Sequence, residues 1–145
     1  MIILFESNET TFTSMGLGAI TDALTCIVVE SSDGEYELQM EYPVSGKMYS
    51  SLIHDRIIFA KSRPTRAGET ELDTYQPFRI YDISDGTGFS ITVSARHVSY
   101  DATDVCVSPF SADTLDNAIS GIAGHTVNTN PLTISTVYHP AADEK

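Results

Sequence analysis

Tryptophan is absent from this chain, cysteine occurs only twice, and basic residues are scarce. Each shortage closes off a class of function. Eight Lys and Arg stand against twenty Asp and Glu, a formal charge of −12. A nucleic-acid groove needs clustered cations to displace counterions from phosphates. The one basic cluster, Lys61, Arg63 and Arg66, is short and is followed by Glu69, Glu71 and Asp73. The balance therefore argues against nucleic-acid binding, although DNA could still slide past an acidic surface that repels it.

Long apolar runs are missing too. No window approaches the roughly 18 consecutive apolar residues of a membrane span. The opening run Ile2-Ile3-Leu4-Phe5 is too short for a signal-peptide core and has no basic leader. It predicts a first strand, and with it synthesis in the cytoplasm. In that setting Cys26 and Cys106 read as two buried small apolar residues in strand contexts rather than as a disulfide. Neither has a nearby Cys or His at ligand spacing.

What is present is alternation. Tyr36, Leu38, Met40 and Tyr42 point one way, and Glu35, Glu37, Gln39 and Glu41 the other. That is a strand with one apolar and one acidic face, ended by Pro43. Residues 24–30 form a more continuous apolar strand, expected to be covered on both faces. Ser31-Ser32-Asp33-Gly34 between them is a turn, so the two strands should pair as an antiparallel hairpin. Ile57-Ile58-Phe59-Ala60 reads as a buried strand. Residues 62–75 read as an exposed, mobile loop. A second hairpin runs from Phe78–Ile83 through Ser84-Asp85-Gly86-Thr87-Gly88 into the alternating Phe89, Ile91, Val93 and Ala95. Residues 6–23 are rich in Ser, Thr, Asn and Gly. Their Gly16-Leu17-Gly18 lacks the third glycine of a phosphate loop and reads as surface loop.

After Pro109 the period changes. Leu115, Ala118, Ile119 and Ile122 form the stripe of an amphipathic helix, capped by Ser111 or Asp113 and stopping near Gly121 or Gly124. Leu132–Tyr138 predicts one more strand, before a polar tail. At 145 residues there is room for one domain with a real core plus the start of another. The chain is thus expected to be mainly β, a barrel or sandwich of antiparallel hairpins with one short helix near the C-terminus, α+β overall. The expected division is a β-rich domain over 1–107 and a helix-plus-strand start of a second, truncated unit over 108–145.

Chemistry-bearing motifs are few. There is no nucleophile elbow, zincin helix, Walker loop or EF-hand loop. None of His54, His97, His125 and His139 has a second His at ligand spacing. His97, in Arg96-His97-Val98-Ser99-Tyr100-Asp101, could form an acid/base site with Asp101 or Tyr100. The plainer reading is a structural corner, because one His without a paired nucleophile specifies no reaction. Glu35, Glu37 and Glu41 invite a glycosidase reading. Their place on one strand face makes solvated charge the simpler account. Seven tyrosines could build a saccharide platform, but strand faces account for most of them. No catalytic, cofactor-binding or metal-binding residue is assigned.

An ordered set of segments carries a resemblance. It comprises Met1–Phe5, Gly16–Ala23, Gly34–Pro43, Gln76–Tyr81 and Ile91–Asp101. Taken in this order it resembles the N-terminal region of phage minor structural proteins, the tail-associated, prophage tail-endopeptidase type of Gram-positive siphophages. These look like the baseplate hub of contractile phages. The resemblance implies a structural part of the virion tail tip, built of β-barrel-like modules. It implies a homotrimer in the full-length protein, with the distal tail protein and the tape measure protein as partners. It places peptidoglycan-cleaving or host-binding parts beyond these residues, so no enzyme activity is expected here. A host-surface or saccharide-binding module is the alternative.

Overall fold

The alternation seen in the sequence is realised as one seven-stranded antiparallel sheet. The computed structural model describes residues 1–86 and 88–127. The strands are β1 (Ile3–Phe5), β2 (Gly18–Ala19), β3 (Thr25–Glu30), β4 (Tyr36–Pro43), β5 (Ile57–Lys61), β6 (Tyr75–Asp85) and β7 (Ser90–His97). Their spatial order is β2-β1-β5-β6-β7-β4-β3. Both predicted hairpins form, β3 with β4 and β6 with β7.

One face of this sheet makes the main core. Leu38, Met40 and Tyr42 of β4 lie opposite Ala95, Val93 and Ile91 of β7. Leu4 lies opposite Ile58. These join Phe78 and Ile80 of β6 in a single buried cluster. Side chains from one face of a single sheet can meet this way only if the sheet curls around them, so the fold is a half-barrel rather than a two-sheet sandwich. Each large side chain buried here contributes roughly 1.5–3 kcal/mol.

A bulge helps the curl. Ile80 lies opposite Ala95 and Ile83 opposite Val93, with the register shift between Ile80 and Asp82. The extra residue lets Ile83 return to the core face three positions after Ile80, where it packs against the main cluster.

A second, smaller core lies on the opposite face of β1, β5 and β6. It contains Ile3, Phe5, Ile57, Phe59 and Tyr75. Phe12 covers it, edge-on to Phe5 at 5.2 Å and stacked on Phe59 at 5.2 Å. The stretch expected as surface loop therefore supplies a core side chain and a short strand. Gly16 turns it at φ 52°, where the Leu4 carbonyl and the Phe5 ring leave no room for a Cβ. The Leu17 N–H then donates to that carbonyl at 2.8 Å.

Strand β3 departs from expectation. It is an edge strand, and its outward side chains are not covered. A continuous apolar run has the same pattern whether the outer face is buried or simply apolar, and only the strand's place in the sheet separates the two.

Contacts divide the chain into a first compact unit, Met1–Val98, and a second that begins at Ser99. A 3-10 segment covers Val98–Asp104. In the second unit α1 spans Leu115–Gly124. Its cap is Thr114, whose hydroxyl accepts from Asn117 N–H at 3.2 Å, and not Ser111 or Asp113. Gly121 lies inside the helix, where the Phe110 ring packs too closely for a Cβ. The strand expected at 132–138 lies outside the described residues.

Candidate functional site

The last rung of the half-barrel gathers the residues with most chemical potential. Glu37 pairs with Arg96 and Phe78 with His97, so Tyr36, His97 and Phe78 fall on one level of β4, β7 and β6. His97 stacks on Tyr36 with centroids 4.5 Å apart and meets Phe78 edge-on at 5.7 Å. Its Nε2 lies 3.1 Å from Gln76 Oε1, so the amide oxygen accepts from an Nε2–H. Burial holds the Tyr36 phenol above its ordinary value, partly offset by a bond from Ser62. The ring of His97 is thus a packed structural element between two aromatic rings.

The three carboxylates of the row have different surroundings. Glu35 precedes β4 and is exposed. Glu37 and Glu41 lie on the outer face, as the alternation predicts. Tyr81 donates its hydroxyl to Glu37 Oε2 at 3.2 Å, and the Arg96 guanidinium lies 4.3 Å over the Tyr81 ring. Glu41 Oε1 accepts from the buried Ser90 hydroxyl at 2.7 Å. The two carboxylates are occupied by different partners along the strand and do not face each other as an acid/base pair. Tyr81 lies on this face by plain alternation from Ile80, and the bulge that returns Ile83 to the core has no sequence signal beyond the broken alternation there.

Lys61 and Arg63 of the basic cluster are each matched by an acid of the same loop. Lys61 Nζ is 3.6 Å from Glu71. Arg63 grips Glu69 with two bonds of 2.6 and 2.9 Å. The Arg66 N–H donates to the same carboxylate at 3.0 Å. These bonds hold the Glu69 carboxyl well below the usual range, at about 2. The loop over 62–75 is therefore stapled, and its charges leave no phosphate-binding stripe.

The cysteines behave differently from one another. Cys26 is partly buried, and burial pushes its thiol up to about 11. Cys106 is exposed, which corrects the expectation that both are buried; Val107 beside it makes only an isolated bridge to Thr126. His54 is exposed. His125 follows α1, stacks on Phe110 at 4.7 Å and places Nδ1 2.8 Å from the Gly121 carbonyl. His139 lies outside the described residues. No group of three potential metal ligands occurs among the described residues, and no helix among them is long and apolar enough to cross a membrane.

The sheet edge is the remaining feature. Ile27 and Val29, at alternate positions on the outer face of β3, are 56% and 45% exposed, and Leu24 just before the strand is 59% exposed. Among the described residues no strand pairs with the outer side of β3. Set against family models, curated proteins and solved structures, the chain matches none.

Proposed function

We propose that this chain is an assembly module of a phage or prophage tail tip, the N-terminal region of a hub-like minor structural protein. One observation carries the reading. The segments that resemble that family include β1, β2, parts of β6 and β7 and the whole of β4, strands of one continuous sheet, so most of the resemblance follows one sheet rather than scattered loops. In this reading the protein trimerises in its full-length form and meets the distal tail protein and the tape measure protein. The acidic balance of −12 keeps passing DNA from adhering to the module. Any lytic chemistry belongs to other parts of the particle.

The saccharide-binding alternative requires an open aromatic face. Tyr81, on the outer sheet face, has its ring covered by Arg96, which favours the assembly reading. The deciding experiment is light scattering of the chain alone and mixed with the distal tail protein encoded in the same genome. Co-elution at a defined ratio is expected. Failure to co-elute, together with a positive glycan array, would replace this reading with the saccharide one.

A further inference from the structure

The β3 edge is built to take another strand, and we infer that it docks an extended segment of a different protein chain, apolar at alternate positions and basic at one end. The inference rests on the geometry of β3 and stands apart from the tail-tip reading. Ser31 N–H donates to the Glu35 carbonyl at 2.8 Å, which continues the β3–β4 register. Pairs at odd-numbered β3 positions are therefore the hydrogen-bonded ones. Cys26, Val28 and Glu30 turn their N–H and C=O groups to the outer side, where an added strand would find them.

The side chains agree with this. Ile27 and Val29 present an exposed apolar stripe on the outer face, next to the edge that no strand among the described residues pairs. The usual protections of an edge are missing: β3 contains no Lys, no Pro and no bulge. Pairing would cover both the polar edge and the apolar stripe at once.

Charge decides the occupant. No Lys or Arg occurs before Lys47, and the C-terminal end of β3 and its turn carry Glu30, Asp33 and Glu35. A second copy paired antiparallel through the outward even-numbered positions, Val28 opposite Val28, would bring no Lys or Arg to the acidic end of β3, between chains of −12 each. Like charges placed opposite each other destabilise a strand pair. A strand with Lys or Arg at the end that meets this turn gains where a second copy loses.

The test uses the full chain, labelled with nitrogen-15, and three synthetic peptides. The first is Lys-Lys-Val-Thr-Val-Thr-Val-Thr, the second carries Glu-Glu in place of Lys-Lys, and the third is the first with alternate amides N-methylated. The dibasic peptide should shift the amides of residues 24–30 and slow hydrogen exchange at Cys26, Val28 and Glu30. The diacidic peptide should bind about ten-fold more weakly or worse, and the methylated one should not protect those amides. Ile27→Lys, a change at an exposed side chain, should weaken binding of the dibasic peptide without altering the circular dichroism. Equal binding of the two charge forms, or shifts away from β3, would overturn the inference. So would dimers in sedimentation equilibrium that Ile27→Lys dissolves, since the occupant would then be a second copy. None of these failures bears on co-elution with the distal tail protein, which tests the tail-tip reading separately.

Discussion

The ring of His97 lies flat on that of Tyr36, centroids 4.5 Å apart and planes 19° apart. Phe78 closes the other side edge-on. The three strands β4, β7 and β6 end their shared core on this aromatic layer, so the imidazole serves as a packing ring. His97→Ala should cost roughly 1–2 kcal/mol in urea unfolding, since aromatic pairs on adjacent strands each add a fraction of this beyond burial. His97→Phe should cost less, because it keeps the stack while losing the bond to Gln76. An equal loss in both variants would mean that the Gln76 bond, not the stack, stabilises this end.

Tyr42 makes a second test of the core. Its ring is fully buried, and its hydroxyl accepts from Met48 N–H at 2.9 Å while reaching Asp22 at 3.5 Å. Tyr42→Phe leaves the Met48 N–H without this acceptor and should cost about 1–2 kcal/mol. Gly46→Ala should be worse than an ordinary surface change, because a Cβ there would overlap the Tyr42 ring. Thermal melts of both variants check this. A neutral Tyr42→Phe would show that water replaces the lost partner.

Much of this fold was legible because a half-buried strand writes its two faces into the sequence. Leu38, Met40 and Tyr42 face inward as their spacing predicts, and Glu37 and Glu41 face outward. Strand order was not legible. The β1–β5 and β4–β7 pairs join distant segments, and no local pattern specifies which strand ends at the edge. For that reason β3 looked like a covered strand. Phe12 was missed because a single aromatic in a polar stretch has no period, yet it closes the second core. Of the functional features, Glu37 and Tyr81 share the outer face as alternation predicts, whereas the β3 edge, which no described strand covers, depends on strand order.

The Arg63–Glu69 pair should fix the 62–75 loop across most of the pH range. The Glu69 carboxyl is lowered from 4.5 to about 2 by its bonds to Arg63 and Arg66. A lowered carboxyl stabilises the folded loop fully above its ordinary value, and that contribution fades as pH falls toward 2. Tryptic cleavage after Arg66 should be slow at neutral pH and rise several-fold in Glu69→Gln or Arg63→Ala. Cleavage at the parent rate in both variants would show that the pair does not order the loop.

Cys26 carries the alkaline counterpart. Burial raises its thiol from about 9 to about 11. Between those values the unfolded thiol ionises and the folded one does not, so unfolding releases a proton. The contribution is complete below about 9, declines as pH rises, and levels off above about 11. The loss should be roughly 1–2 kcal/mol once solvent screening of a part-exposed thiol is allowed for. Cys26→Ala should remove this segment of the stability curve while leaving the neutral-pH fold intact. At neutral pH iodoacetamide should label the exposed Cys106 well before Cys26, because the thiolate is the reacting form and burial suppresses it. Equal labelling of the two, with no difference between parent and variant above pH 9, would mean that β3 opens far more readily than its packing against the core requires.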